Sequence, residues 1–449
     1  MPATRAPAWY TAAWLLLLPL VAFYLCWRAL RQREYLHHWA ERFLGHGAVV
    51  QAGPGGAVLW IHAVSLGETR AARPLVAELL RRHPRATILL THMTPTGREA
   101  GAELARLLPG RVVQRYLPYD LPSAIDRFIR ETHPRVGVLM ETELWPNVLF
   151  GTRAHGVPVV LANARLSERS LAKALRYGDW LRGAVACVSR VGAQSDADLA
   201  RIARLYAGPS SVTGNVKFDL VPDAAQLAQG VALRARLRAA WGERPVLLFA
   251  STREGEERLI VEALRRAAPA APAPVLLVVP RHPQRFDEVA RALEETGRPV
   301  LRRARFDAAA GGPAPARPSG AAPSDGIVFL LGDSMGEMPL YYGMADVALI
   351  GGSVLPLGGQ NLIEACACGC PVLLGPHMFN FAQAADDALA GGAARRVADT
   401  DEALRCMREL VADGPARAAM RAAALAFASA HRGATARTVA LIEEAMAQR

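Results

Sequence analysis

Three stretches of the first half of the chain place carboxylates and a rare ammonium where transfer chemistry would use them. In WIHAVSLGETRAARPL (60–75) an apolar run ends in a turn that Gly67 permits, and a helical pattern follows. Glu68 falls at that helix start. It has two readings: a cap favoured by the positive end of the helix dipole, worth about 0.3–1 kcal/mol, or a general base beside a substrate hydroxyl. METELWPN (140–147) ends another apolar run with Glu141 and Glu143. Carboxylates two apart share a face on a strand, though not of necessity on a turn, and a helix-start cap is the structural alternative. GNVKFD (214–219) carries Lys217, one of two lysines against fifty arginines. A lysine that has escaped such a bias suggests an ammonium with a task, such as neutralising charge that develops on a phosphate. Lys173, the other lysine, sits in an ordinary amphipathic pattern and tempers that reading.

The second half repeats a different theme, a short loop after an apolar run. In VVPRHPQRF (278–286), Arg281 and His282 follow such a run and can reach an anionic ligand. GDSMGEM (332–338) has Met335, Gly336 and Glu337 opening a helix, where backbone amides are ready for phosphate. In GGSVLPLGGQNLIEACACGCPVLLGP (351–376), Gly358 and Gly359 let the backbone approach a ligand closely. Asn361 and Glu364 lie three apart on the next helix and face the same way; Glu364 suits ribose hydroxyls, and Asn361 has helix capping as its alternative. Cys366, Cys368 and Cys370 invite a metal reading, but no second cysteine pair accompanies them, so they read as buried small residues. No P-loop, dinucleotide fingerprint or zinc motif is present, which removes ATPase and dehydrogenase readings.

These loops need a scaffold, and the chain supplies one. AVLWIHAV, ATILLTHM, RVVQRYLP, RVGVLMET and VPVVLANA read as buried strands separated by helical stretches, continued by CVSRVGAQ and SVTGNVKF. PVLLFAST, APVLLVVP, PVLRRA, GIVFLLGD, VALIGG and PVLLGP form a second series. Continuous apolar strands alternating with helices predict parallel sheets covered on both faces. The expected organisation is an α/β pair of Rossmann-like domains of similar size facing a cleft, spanning 44–217 and 231–449, with 218–230 as hinge. Residues 307–325 are too poor in bulky side chains to pack and predict a flexible surface insertion, so deleting 310–322 is expected to leave activity nearly unchanged. At 449 residues with 51% apolar content, two or three cored domains are expected. Six cysteines without an even framework suit a reducing compartment. A net charge of +11 favours anionic partners; no aromatic-interleaved basic stripe supports nucleic acid.

The amino-terminal 43 residues stand apart. Between Arg5 and Arg28 lie 22 uncharged residues with Trp9, Tyr10, Tyr24 and Trp27 near the ends, long enough for a bilayer span and aromatic at its interfaces. The basic segment that follows orients the rest of the chain toward the cytoplasm. Pro19 leaves open a monotopic helix instead of a span.

Taken in order, WIHAVSLGET, THMTPTGRE, YLPYDLPSA, METELWPN, NARLSERS, GNVKFD, STREGEE, VPRHPQRF, GDSMGEM, GGSVLPLGGQNLIEA and GPHMFNF resemble the 3-deoxy-D-manno-octulosonic acid (Kdo) transferases of lipopolysaccharide assembly, from about Tyr24 to the end. The resemblance implies the GT-B fold and inverting transfer of Kdo from CMP-Kdo onto the tetraacyl disaccharide precursor of lipid A, at the cytoplasmic face of the inner membrane. It implies Glu68 as the base that deprotonates the acceptor, and Glu141 with Lys217 as the pair that stabilises the transition state. Pro280 and Arg281, Met335 to Glu337, and Asn361, Leu362, Ile363 and Glu364 are implied as CMP-binding segments, with neither metal nor cofactor required. Gln360 departs from the histidine common in the family. A GT-B transferase using a UDP-sugar, and a membrane-tethered protein binding anionic ligands, are the competing readings.

Overall fold

The computed structural model describes residues 5–269, 271–305 and 326–448; the insertion expected at 307–325 lies outside them. The chain forms two compact units, Met1–Leu220 with Arg432–Arg449, and Val221–His431.

The first unit is built on a seven-stranded sheet: β1 (Val58–His62), β2 (Thr87–His92), β3 (Val112–Tyr116), β4 (Pro134–Met140), β5 (Val159–Ala164), β6 (Arg190–Ala193) and β7 (Ser210–Val212). The order is β3-β2-β1-β4-β5-β6-β7, every pairing parallel. Alternate residues of β1 explain why it must be covered on both sides. Val58 and Trp60 join one core with Leu139, Phe128 and Val159; Leu59 and Ile61 join another with Val136, Val138 and Leu75. Gly137 beside Trp60 admits the indole, since a Cβ there would lie 2.8 Å from the ring.

The second unit repeats the plan with β8 (Val246–Thr252), β9 (Val275–Pro280), β10 (Val300–Arg302), β11 (Val328–Leu331), β12 (Val347–Ile350), β13 (Val372–Leu374) and β14 (Ala394–Arg396). Its order is β10-β11-β9-β8-β12-β13-β14, again parallel. In each sheet the strand order reverses beside the first strand, between β1 and β4 and between β8 and β12. Open α/β sheets bind ligands at the strand carboxyl ends beside such reversals.

Three features differ from the sequence reading. The boundary lies at Leu220/Val221, and 224–230, assigned to a hinge, begin the helix Ala224–Trp241. Asp223 caps it by accepting from the amides of Ala225 and Gln226. Gly230, at the end of the stretch assigned to the hinge, is a close-packing residue, because a Cβ there would meet the Leu340 carbonyl at 2.1 Å. The last helix, Ala434–Ala447, had been assigned with the second domain; it completes the first unit. Its Val439, Leu441, Ile442 and Ala445 are buried among Ile61, Val136 and Val138, and Asp219 accepts from the amides of Gly433 and Thr435 at its start. Pro19 does not interrupt the amino-terminal helix, which runs unbroken from Ala8 to Ala29.

Candidate active site

Glu68 is held by the turn that precedes it. Ser65 caps the helix Leu66–Arg82, accepting from the Glu68 amide. The Ser65 hydroxyl donates to Glu68 Oε1 at 2.9 Å, and the Val64 amide donates to Oε2 at 2.9 Å. This is a variant of the capping box, in which the Glu68 carboxylate reaches the amide before the cap and not that of Ser65 itself; Glu68 thus serves the helix start, and the base reading stays open. Burial first, and the neighbouring Glu141 charge second, raise the carboxyl to about 7 against the opposing pull of the two hydrogen bonds. A carboxylate near neutrality can take up a proton at working pH and release it again.

Glu141 stands at the end of β4, across the sheet reversal from the loop after β1. Its φ of 59° is left-handed, uncommon for a residue with a side chain. The twist presents Glu141 Oε1 to Lys217 Nζ, 3.0 Å away. Glu68, Glu141 and Lys217, the three groups singled out from the sequence, lie near one another at the carboxyl ends of β1 and β4 and just beyond β7. Glu143 turns to a different partner, accepting from the Trp145 indole N–H at 2.9 Å, and burial raises its carboxyl as well.

Residues that sequence reasoning left without a role build the seat of Lys217. The side chain of Asn215 accepts from the Lys217 amide and opens the 3-10 turn Val216–Asp219. Asn163, fully buried at the end of β5 with φ 55°, accepts from the Val216 amide. Gln194 donates to the Asn163 carbonyl and accepts from Asn215. Asparagine tolerates positive φ better than most residues, and two asparagines in NARLSERS and GNVKFD were the available signal.

The second unit holds the other candidates at the ends of its own strands. Pro280 closes β9, and the Arg281 amide donates to the Thr252 carbonyl after β8. Arg281 Nε donates to Gln360 Oε1 at 3.2 Å. Met335 is exposed, and Gly336 adopts φ 80°. Glu337 pairs with Arg303 at 2.8 Å and accepts from the Ser334 hydroxyl. Asn361 caps its helix, accepting from the Ile363 amide at 3.2 Å. Leu362 and Ile363 are buried, so only their backbone faces any ligand; Glu364 remains half-buried. Gly358 and Gly359 are required for close packing: a Cβ would meet Asn380 Nδ2 at 2.3 Å and Met378 Sδ at 2.2 Å. Glu256, unremarked in the sequence, accepts from the amides of Arg253 and Gly352 and ties the loops after β8 and β12. Cys366, Cys368 and Cys370 are buried, which pushes their thiols up, as small core residues require.

A family model described as 3-deoxy-D-manno-octulosonic-acid transferase matches residues 37–220. The chain is 46% identical to a 3-deoxy-D-manno-octulosonic acid transferase of Bordetella pertussis, over 97% of this chain and 98% of the relative. It is 36% identical to the enzyme of the same description from Haemophilus influenzae, over 83% and 82%. Among solved structures, Anabaena HepE in complex with UDP superposes with a TM-score of 0.57 at 15% identity, covering 88% of this chain and all of that one; this likeness concerns the fold. On these grounds the chain belongs to the 3-deoxy-D-manno-octulosonic acid transferases, and it is a glycosyltransferase of GT-B-like fold.

Proposed function

We propose that the enzyme moves Kdo from CMP-Kdo to the tetraacyl disaccharide precursor of lipid A, with inversion, at the cytoplasmic face of the inner membrane. The observation that carries the mechanism is the pairing of a carboxyl held near neutrality, Glu68, with the Glu141–Lys217 ion pair on the same sheet edge. An acceptor hydroxyl is a poor nucleophile until its proton has somewhere to go. Glu68 takes that proton as the acceptor oxygen attacks the anomeric carbon. The bond from that carbon to the phosphate oxygen breaks with its electron pair, and CMP leaves as a phosphate monoester. Lys217, steadied by Glu141, stabilises the charge that builds as this happens; such groups are worth about 10²–10³ in rate.

The segments at Pro280–Arg281, Met335–Glu337 and Asn361–Glu364 are proposed to hold CMP, with backbone amides and the Arg281 guanidinium meeting the phosphate and Glu364 meeting ribose hydroxyls. The apolar helix Ala8–Ala29 and the charge of +11 suit an acceptor that is itself lodged in an anionic membrane.

The experiment is transfer itself. Detergent-solubilised protein is mixed with freshly generated CMP-Kdo and the lipid A precursor, and products are read by mass spectrometry. Wild type should yield a product heavier by one or more Kdo residues, and Glu68→Gln none while still binding CMP-Kdo. Inhibition by UDP in preference to CMP, or full activity in Glu68→Gln, would refute the donor or the base respectively.

A further inference from the structure

The amino-terminal helix does not stand away from the first unit. Tyr10, Trp14, Leu18, Val21, Leu25 and Ala29 are half-buried or buried, at the spacing of one helix face. Trp9, Leu16, Leu20, Phe23, Trp27 and Leu30 are exposed on the opposite face. Two inward residues reach the element that carries the candidate carboxylates. The Tyr10 hydroxyl donates to Asp120 Oδ2 at 2.9 Å. Asp120 is 1% exposed and accepts through the same carboxylate from the amides of Asn147 and Val148, at 3.0 and 2.9 Å. These are the first free amides of the helix Pro146–Ala154, which begins where METELWPN ends. Trp14 lies against Tyr119 and Trp145, with ring centroids 5.9 and 6.0 Å apart. Trp145 in turn donates to Glu143.

We propose that the amino-terminal helix is a positioning element for the candidate active site as well as an anchor: Tyr10 and Trp14, through Asp120 and Trp145, fix the 141–147 turn and so the direction of Glu141. Glu141 sits in a left-handed conformation that persists only where its surroundings over-determine it, and the amino-terminal helix supplies part of that determination. Neither residue touches substrate. The inference rests on the proposed transfer reaction, because turnover is what it alters.

The test uses the full-length enzyme in detergent, where membrane attachment no longer limits encounter with a dispersed acceptor. Wild type, Tyr10→Phe, Trp14→Ala, Trp14→Phe and Leu20→Ala are compared at saturating CMP-Kdo and acceptor. Tyr10→Phe and Trp14→Ala are expected to lose kcat on the order of tenfold, with KM for CMP-Kdo unchanged, and Trp14→Phe to recover part of the loss. Trp14→Ala combined with Trp145→Ala should lose less than the product of the two separate losses. Leu20→Ala, on the exposed face, should keep kcat. Equal membrane retention and unfolding temperature across the inward variants separate positioning from anchoring or misfolding. Wild-type kcat in Tyr10→Phe and Trp14→Phe, with Trp14→Ala either unchanged or unfolded, would overturn the proposal. An inactive wild type would instead refute the assigned reaction.

Discussion

At the scale of residues, Glu68 works against the stability of its own fold. Its folded value, about 7, is raised above the ordinary 4.5, so the folded chain holds this proton more tightly than the unfolded chain. Ionising it therefore costs stability: the cost is absent below the unfolded value, grows between the two, and is fully present above about 7. Its ceiling is roughly 3 kcal/mol, reduced by the water that reaches the side chain. Glu68→Gln should thus melt higher than wild type at pH 8, with a smaller difference at pH 5.5, by differential scanning calorimetry. In the wild type, kcat/KM should fall tenfold per pH unit below an apparent value near 7 as the base becomes protonated. Lys217→Met should lose about 10²–10³ in kcat; Lys217→Arg restores charge but not reach, and steady-state kinetics should show only partial recovery. The types and spacing of these three groups were legible in the sequence. Their seat was not, because Asn163, Gln194 and Asn215 come from three separate segments that only the closed sheet brings together.

At the scale of elements, the central strands β1, β2, β8 and β9 were readable because they are buried on both faces and therefore almost continuously apolar, whereas β14, exposed at two of its three residues, was missed. Two helices misled. Residues 224–230, assigned to the hinge, begin a helix, and the missing side chain of Gly230 serves contact with Leu340, not a turn. The amino-terminal helix passed every compositional test for a span, yet Ala6 is buried in the first unit's core and Tyr10 is bonded to Asp120. A crossing helix would carry those residues to the far side of the bilayer from the sheet they touch. The expected topology is a helix lying in the membrane plane, its exposed stripe toward the acyl chains. A membrane-impermeant maleimide should label Arg5→Cys, in a Cys26→Ala background, from inverted inner-membrane vesicles and not from spheroplasts. Cys26 is the one exposed native cysteine among the six, so its removal leaves a quiet background. Labelling from spheroplasts would restore the span.

At the scale of the whole molecule, the second unit, 221–431, is an excursion from the first, which closes only with 432–449. Residues 221–431 expressed alone should fold and bind CMP, read by calorimetry and heteronuclear spectra. Residues 1–220 should not give a cooperative transition, since the face that covers Ile61, Val136 and Val138 would lack Val439 and Ile442. Two sheets and two series of loops were visible in the sequence because they are local patterns. The return of the tail was not, because its amphipathic face fits either unit and only long-range packing chooses between them.

That return also sets an order of events during synthesis. The apolar amino-terminal helix leaves the ribosome ahead of the sheet it packs on, and the helix that completes that unit emerges only after the whole second unit. While residues 221–431 are made, the first unit lacks the helix that covers part of its sheet and cannot reach its final packing, whereas the second unit, contiguous in the chain, can fold as soon as it emerges. Asp219, beside Lys217, receives the start of that final helix. The turn that carries Lys217 thus gains its last support only after the second unit has been made, and a chain truncated before Gly433 would lack it.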